Sequence, residues 1–93
     1  MERTKVLLSA QVALLGMVTP NMQAITIRYK QMPVLVRIFF KEKPTEDEVE
    51  LLSVITTEII ADFNELNDIK EDFYVNQEPE CLDDWVYYQY PVY

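Results

Sequence analysis

The sequence contains no histidine, one cysteine and one glycine. Without histidine, the chain cannot form a Ser-His-Asp triad, a histidine proton shuttle or an imidazole metal ligand. Gly16 alone cannot supply a glycine-rich loop, in which several glycines let the backbone approach a phosphate group. These absences exclude the commonest hydrolase, metalloenzyme and nucleotide-binding sites.

The single cysteine, Cys81, rules out an internal disulfide and favours a reducing compartment, the cytoplasm. A catalytic thiol needs a neighbouring base or cation, and the residues around Cys81 are acidic instead. We therefore expect an inert thiol.

The start of the chain, "MERTKVLLSAQVALLGMV", has the basic residues and apolar run of a signal peptide. Ser9 and Gln11 interrupt the run, and no small-residue cleavage site follows. The run is also too short and too polar to span a bilayer. We expect a buried helix and no association with a membrane.

Positive charge is scarce in the second half of the chain. Residues 1–43 hold seven Lys or Arg and two Glu, a balance of 7 − 2 = +5, whereas residues 44–93 hold one Lys and fourteen Asp or Glu, a balance of 1 − 14 = −13. The negative electrostatic field of the second half repels nucleic acid and attracts a basic partner. We expect no nucleic-acid binding, although the outer face of the first two strands carries several Lys and Arg.

The 93 residues are enough for a single domain, residues 1–93, with one hydrophobic core. Apolar spacing predicts a helix over residues 4–18, ended by Pro20 and either heavily buried or shared with a second subunit. Thr45 and Glu48 form the pattern of a capping box, which predicts a second helix, "TEDEVELLSVITTEIIADF".

Alternating apolar residues predict strands over residues 24–30 and 34–41, joined as an antiparallel hairpin. A third strand is predicted over residues 69–76, at a sheet edge because Glu71 interrupts its apolar side, and a fourth over residues 85–90. The order α-β-β-α-β-β predicts an α+β fold with a four-stranded antiparallel sheet and two helices on one face.

The last stretch, "EPECLDDWVYYQYPVY", combines aromatic rings with carboxylates and has no basic residue. Alternation places Trp85, Tyr87 and Gln89 on one side of the fourth strand, and Val86, Tyr88 and Tyr90 on the other. Trp and Tyr are the residue types that anchor interfaces, but the same rings could pack on the first helix or on a second copy. Interface and core remain equally supported.

Catalysis by carboxylates is the remaining enzymatic option. The acidic residues that begin the second helix are explained by capping and by the helix dipole. The later group, around Pro79, lacks the oxygen spacing and turn glycine of a calcium loop. We expect no catalytic residues, no metal site, no cofactor and no enzymatic activity.

The segment "ALLGMVTPNMQAITIRY", residues 13–29, and the second helix resemble small acidic bacterial immunity proteins, including those of contact-dependent growth inhibition. The resemblance spans roughly residues 6–65. It implies an intracellular protein that neutralises one cognate toxin, often a nuclease, by direct binding.

A nuclease must be basic around its active cleft, so an acidic and aromatic surface suits it. We predict that the toxin-binding residues are Asp72, Glu78, Glu80, Asp83, Asp84, Trp85 and Tyr87. The alternative is a homodimeric adaptor or scaffold, which would use the first helix or the last strand as a self-complementary surface.

Overall fold

The computed structural model describes residues 1–66 and 68–89. These residues form two helices and one four-stranded sheet. In chain order the elements are α1 (Arg3–Ala13), β1 (Met22–Arg28), β2 (Val34–Phe40), α2 (Glu46–Asp62), β3 (Ile69–Val75) and β4 (Asp84–Tyr88). The predicted α+β class is confirmed. None of the helices in the described ranges has the length and apolar character needed to cross a membrane.

The sheet is mixed, so the prediction of a wholly antiparallel sheet is wrong. Its strands lie in the order β3-β2-β1-β4, with β1 antiparallel to both neighbours and β3 parallel to β2. The 17 residues of α2 span about 25 Å, close to the length of a seven-residue strand. The helix therefore returns the chain to the end where β2 began, and β3 repeats the direction of β2.

Helix α1 ends earlier than the sequence predicts. It stops at Ala13, and Gly16 adopts φ 75°, a left-handed conformation that favours glycine. This glycine turn, rather than Pro20, ends the helix.

Both helices pack on one face of the sheet and share its core. Val6 and Ala10 of α1 and Leu52 of α2 are buried against the aliphatic side of the β1–β2 hairpin. The strand residues of this core are Met22, Ile25, Ile27, Val34, Val36, Ile38 and Phe40. The alternating apolar residues that predict these two strands are thus the residues that face the core.

The capping box at the start of α2 is present and is extended by a neighbouring loop. Thr45 Oγ1 accepts from the Glu48 backbone N–H, and the Glu48 carboxylate accepts from the Thr45 N–H, both at 3.1 Å. Thr19 and Asn21 also donate to Glu48. The Thr19 bond is the main cause that lowers the pKa of Glu48. This carboxylate therefore joins the end of the α1–β1 loop to α2.

We expect Glu48→Ala to lower the free energy of unfolding by about 1–3 kcal/mol, because it removes a cap and the acceptor of two side-chain donors. The folded pKa of Glu48 is lowered, so its contribution is complete above the ordinary pKa of 4.5 and is lost as pH falls through the folded value. Urea unfolding from pH 7 to pH 3 should show the difference from wild type shrinking in acid. Glu50→Gln, an exposed neighbour on the same helix, is the control; a constant difference at every pH would contradict the assignment.

Candidate functional site

The segment between β3 and β4, residues 76–83, crosses the face of the sheet that lacks helices. Strands β3 and β4 lie at opposite edges, so this crossing segment must pass over β2 and β1. Thr26 points to this face, and its hydroxyl accepts from the Leu82 N–H at 2.9 Å. Ala24 and Thr26 are both fully buried. The crossing segment thus supplies the cover that the second face requires.

Asp83 fastens the end of the crossing segment to the turn of the hairpin. Its Oδ2 accepts from the backbone N–H groups of Lys30 and Tyr29, each at 2.8 Å. These two bonds, the Lys30 bond first, lower the pKa of Asp83. One oxygen of this carboxylate is therefore committed to the backbone of the hairpin turn.

Asp84 lies on the helix side of β4, where it joins α1 to the sheet. Arg3 Nη2 donates to its Oδ1 at 3.1 Å, and the Tyr29 hydroxyl donates to its Oδ2 at 2.6 Å. The Arg3 bond and then the Tyr29 bond lower the pKa of Asp84. Its negative charge is balanced within the chain.

Asp72 is also paired internally. Arg37 Nε and Nη2 donate to its two oxygens at 2.7 and 2.9 Å, and the guanidinium lies 4.7 Å from the centroid of the Tyr74 ring. Donation to Asp72 is the main cause that raises the pKa of Arg37, and the nearby charge of Glu80 adds to it. Three aspartates of the predicted site thus make structural contacts.

Glu78 and Glu80 are the predicted acidic residues that remain free. Both are exposed in the crossing segment, and neither has a hydrogen bond or an ion pair within residues 1–66 and 68–89. Both belong to the segment that crosses the helix-free face, and the charge of Glu80 acts on Arg37. A basic partner can reach both carboxylates without displacing a contact of the fold.

The rings of β4 are not distributed as simple alternation predicts. A register shift between Ile25 and Thr26 places Tyr87 opposite Ile25, on the helix side, and Trp85 opposite Thr26, on the other. Trp85 and Tyr88 consequently stack edge to face, with ring centroids 4.9 Å apart. The predicted pairing of Trp85 with Tyr87 on one side is wrong, and Tyr90 lies outside the described residues.

Two surface rings are absent from the predicted site. Tyr88 and Tyr74 are 40% and 38% exposed, and both lie on the helix-free side of the sheet. Tyr87, which the prediction included, packs instead against the core. The bulge that exchanges Tyr87 for Tyr88 leaves no mark in the sequence, whereas the position of Tyr74 follows from the pairing of its strand.

Helix α1 is only half buried. Leu8 and Val12, on its outer side, are 61% and 56% exposed, and Leu15, in the turn that follows the helix, is 73% exposed. The other side carries the core residues. The helix is therefore not heavily buried, and its apolar stripe is a second exposed surface.

We expect Asp83→Ala to lower the free energy of unfolding by about 1–3 kcal/mol, since two backbone donors lose a charged acceptor. Asp83→Asn keeps an acceptor oxygen and should lose less. Urea unfolding at pH 7 measures both variants, and stabilities equal to wild type would show that the crossing segment does not depend on this contact.

Comparison with known proteins assigns the chain to a family. No curated protein matches it. A family model described as "MafI2 immunity protein" matches residues 3–90, nearly the whole chain. The chain therefore belongs to the MafI2 immunity protein family.

Proposed function

We propose that this protein neutralises a cognate toxin domain by direct binding, without catalysis of its own, and that the domain is a basic nuclease. Membership of an immunity-protein family supports toxin neutralisation. The observation that carries the rest is the pair of exposed, unpaired carboxylates, Glu78 and Glu80, on the same side of the sheet as the Trp85–Tyr88 ring pair.

The charge of the chain supports a basic target. The net charge is −8, and an enzyme that holds phosphates presents Lys and Arg around its cleft. Complementary charge speeds the encounter, and dry contact with aromatic rings slows dissociation. Glu78 and Glu80 would pair with basic residues while Trp85 and Tyr88 supply contact area.

The remaining members of the predicted site act as positioning residues in this proposal. Asp83 and Asp84 directly precede Trp85 and bond to Tyr29, which fixes the start of β4, and Asp72 holds Arg37 beside the crossing segment. Tyr87 anchors β4 in the core. A rigid acidic surface loses little conformational entropy on binding, which raises affinity.

We also propose that the protein acts in the cytoplasm of the producing cell, in a system of the contact-dependent growth inhibition type. A nuclease toxin reaches its substrate in that compartment. The single exposed cysteine, Cys81, is compatible with a reducing environment.

We expect the triple change Glu78→Lys, Glu80→Lys and Trp85→Ala to raise the Kd for the toxin domain by at least a hundredfold, because like charges replace ion pairs and a central anchor is lost. Titration calorimetry with the domain encoded next to the gene measures the Kd, and survival of cells producing the toxin measures protection. Glu58→Lys, a charge reversal on the exposed side of α2, should change little apart from long-range attraction. Full protection by the triple variant would exclude this surface.

The exposed stripe of α1 favours a second candidate function, a homodimeric adaptor without toxin binding. Self-association through this surface predicts a species of twice the 11.0 kDa monomer mass. Sedimentation equilibrium over a range of concentrations should then show dissociation in Leu8→Glu. A monomer at every concentration would exclude this candidate.

A further inference from the structure

The free edge of β3 carries backbone groups that are available for pairing. The Asn76 N–H donates to Phe40 O at 2.9 Å, so the backbone of Asn76 faces β2. Alternation along the strand turns the groups of Tyr74 and Asp72 the same way and those of Phe73 and Val75 outward. Within the described part of the chain, no strand pairs with this outer edge.

An apolar cavity lies beside the same edge, between β3 and the beginning of α2. Its volume is about 370 Å³, and its walls are formed by Lys43, Pro44, Glu46, Val49, Phe73 and Val75. Phe73, one of these lining residues, is 37% exposed. This volume is at the lower end of the range for ligand pockets, about 300–1,000 Å³.

Phe73 and Val75 both line the cavity and carry the backbone groups that point outward from the sheet edge. A strand added along β3 would bond to these two residues, and its alternate side chains would point towards the helix side of the sheet. One of them would therefore lie at the cavity. Backbone pairing and an apolar pocket together are the means by which a sheet edge recognises an extended segment.

Charge selects the occupant. Three exposed carboxylates, Glu46, Asp47 and Glu50, stand in the first turns of α2 against Lys43 at the cavity wall. A second copy of the chain, paired edge to edge, would bring these acidic groups towards their equivalents, which repel them. A basic segment is attracted instead.

We infer that the β3 edge receives an extended segment of the toxin domain, with basic residues flanking an apolar side chain that enters the cavity. This inference rests on the proposed function and adds the mode of contact. The toxin segment would add a fifth strand to the sheet, beside β3. The crossing segment, which carries Glu78 and Glu80, begins at the end of β3.

The test uses the full chain and the toxin domain encoded by the neighbouring reading frame, made harmless by a substitution at its own catalytic residue. Phe73→Lys places an ammonium at the cavity mouth, where it repels a basic strand, as edge lysines do. We expect a rise in Kd of at least tenfold. Val12→Lys makes the same kind of change at an exposed apolar residue of α1 and should leave the Kd within twofold. Phe73→Leu should bind nearly as wild type.

Amide hydrogen exchange of the wild-type complex tests the inference without a variant. The outward N–H groups of Phe73 and Val75 should be protected in the complex, by tenfold or more over the free protein. This measurement stands even where Phe73→Lys weakens folding.

The outcomes separate the two proposals. A wild-type chain that binds no toxin domain would overturn the proposed function and this inference with it. Binding with unchanged exchange at Phe73 and Val75, or equal losses in Phe73→Lys and Val12→Lys, would overturn the inference alone. A concentration-dependent dimer that Phe73→Lys dissociates would identify a second copy as the occupant and would also overturn it.

Discussion

The connection from β3 to β4 is the constraint on which the rest of the structure depends. The parallel pairing of β3 with β2 places β3 at one edge, and β4 joins the sheet at the other edge, beside β1. The chain must then cross the sheet on the side that the helices leave open. This crossing buries Ala24 and Thr26 and turns a two-layer fold into one with both sheet faces covered.

The acidic residues of the predicted site divide into two groups by the length of their side chains. The shorter ones, Asp72, Asp83 and Asp84, reach an arginine or the backbone close to their own strands and are consumed there. Arginines balance the charges of Asp72 and Asp84, and two backbone N–H groups stabilise the charged form of Asp83. Glu78 and Glu80 of the crossing segment make no such contact within the described residues. The charge of Glu80 acts on Arg37 only at longer range.

Local patterns predict the parts of this fold that depend on neighbours in sequence. The capping box, the second helix and the hairpin follow from local patterns alone, and Glu71 correctly marks an edge strand. Glu71 can lie on the helix side of the sheet because the hydroxyls of Ser53 and Thr56 of α2 donate to its carboxylate, at 3.0 and 3.1 Å. That contact, like the direction of β3, depends on how distant segments meet and has no local signature.

The predicted site also depends on contacts between distant segments, which the sequence does not reveal. Composition directs attention to the acidic and aromatic stretch, but it cannot distinguish a carboxylate that holds the fold from one that faces solvent. One shift of register in β4 exchanges Tyr87 for Tyr88 at the surface. Unmatched like charge lowers the stability of a compact chain through self-repulsion. In the proposed complex, this cost is offset when the free glutamates meet a basic surface, so the same carboxylates that weaken the isolated protein would strengthen its bound form.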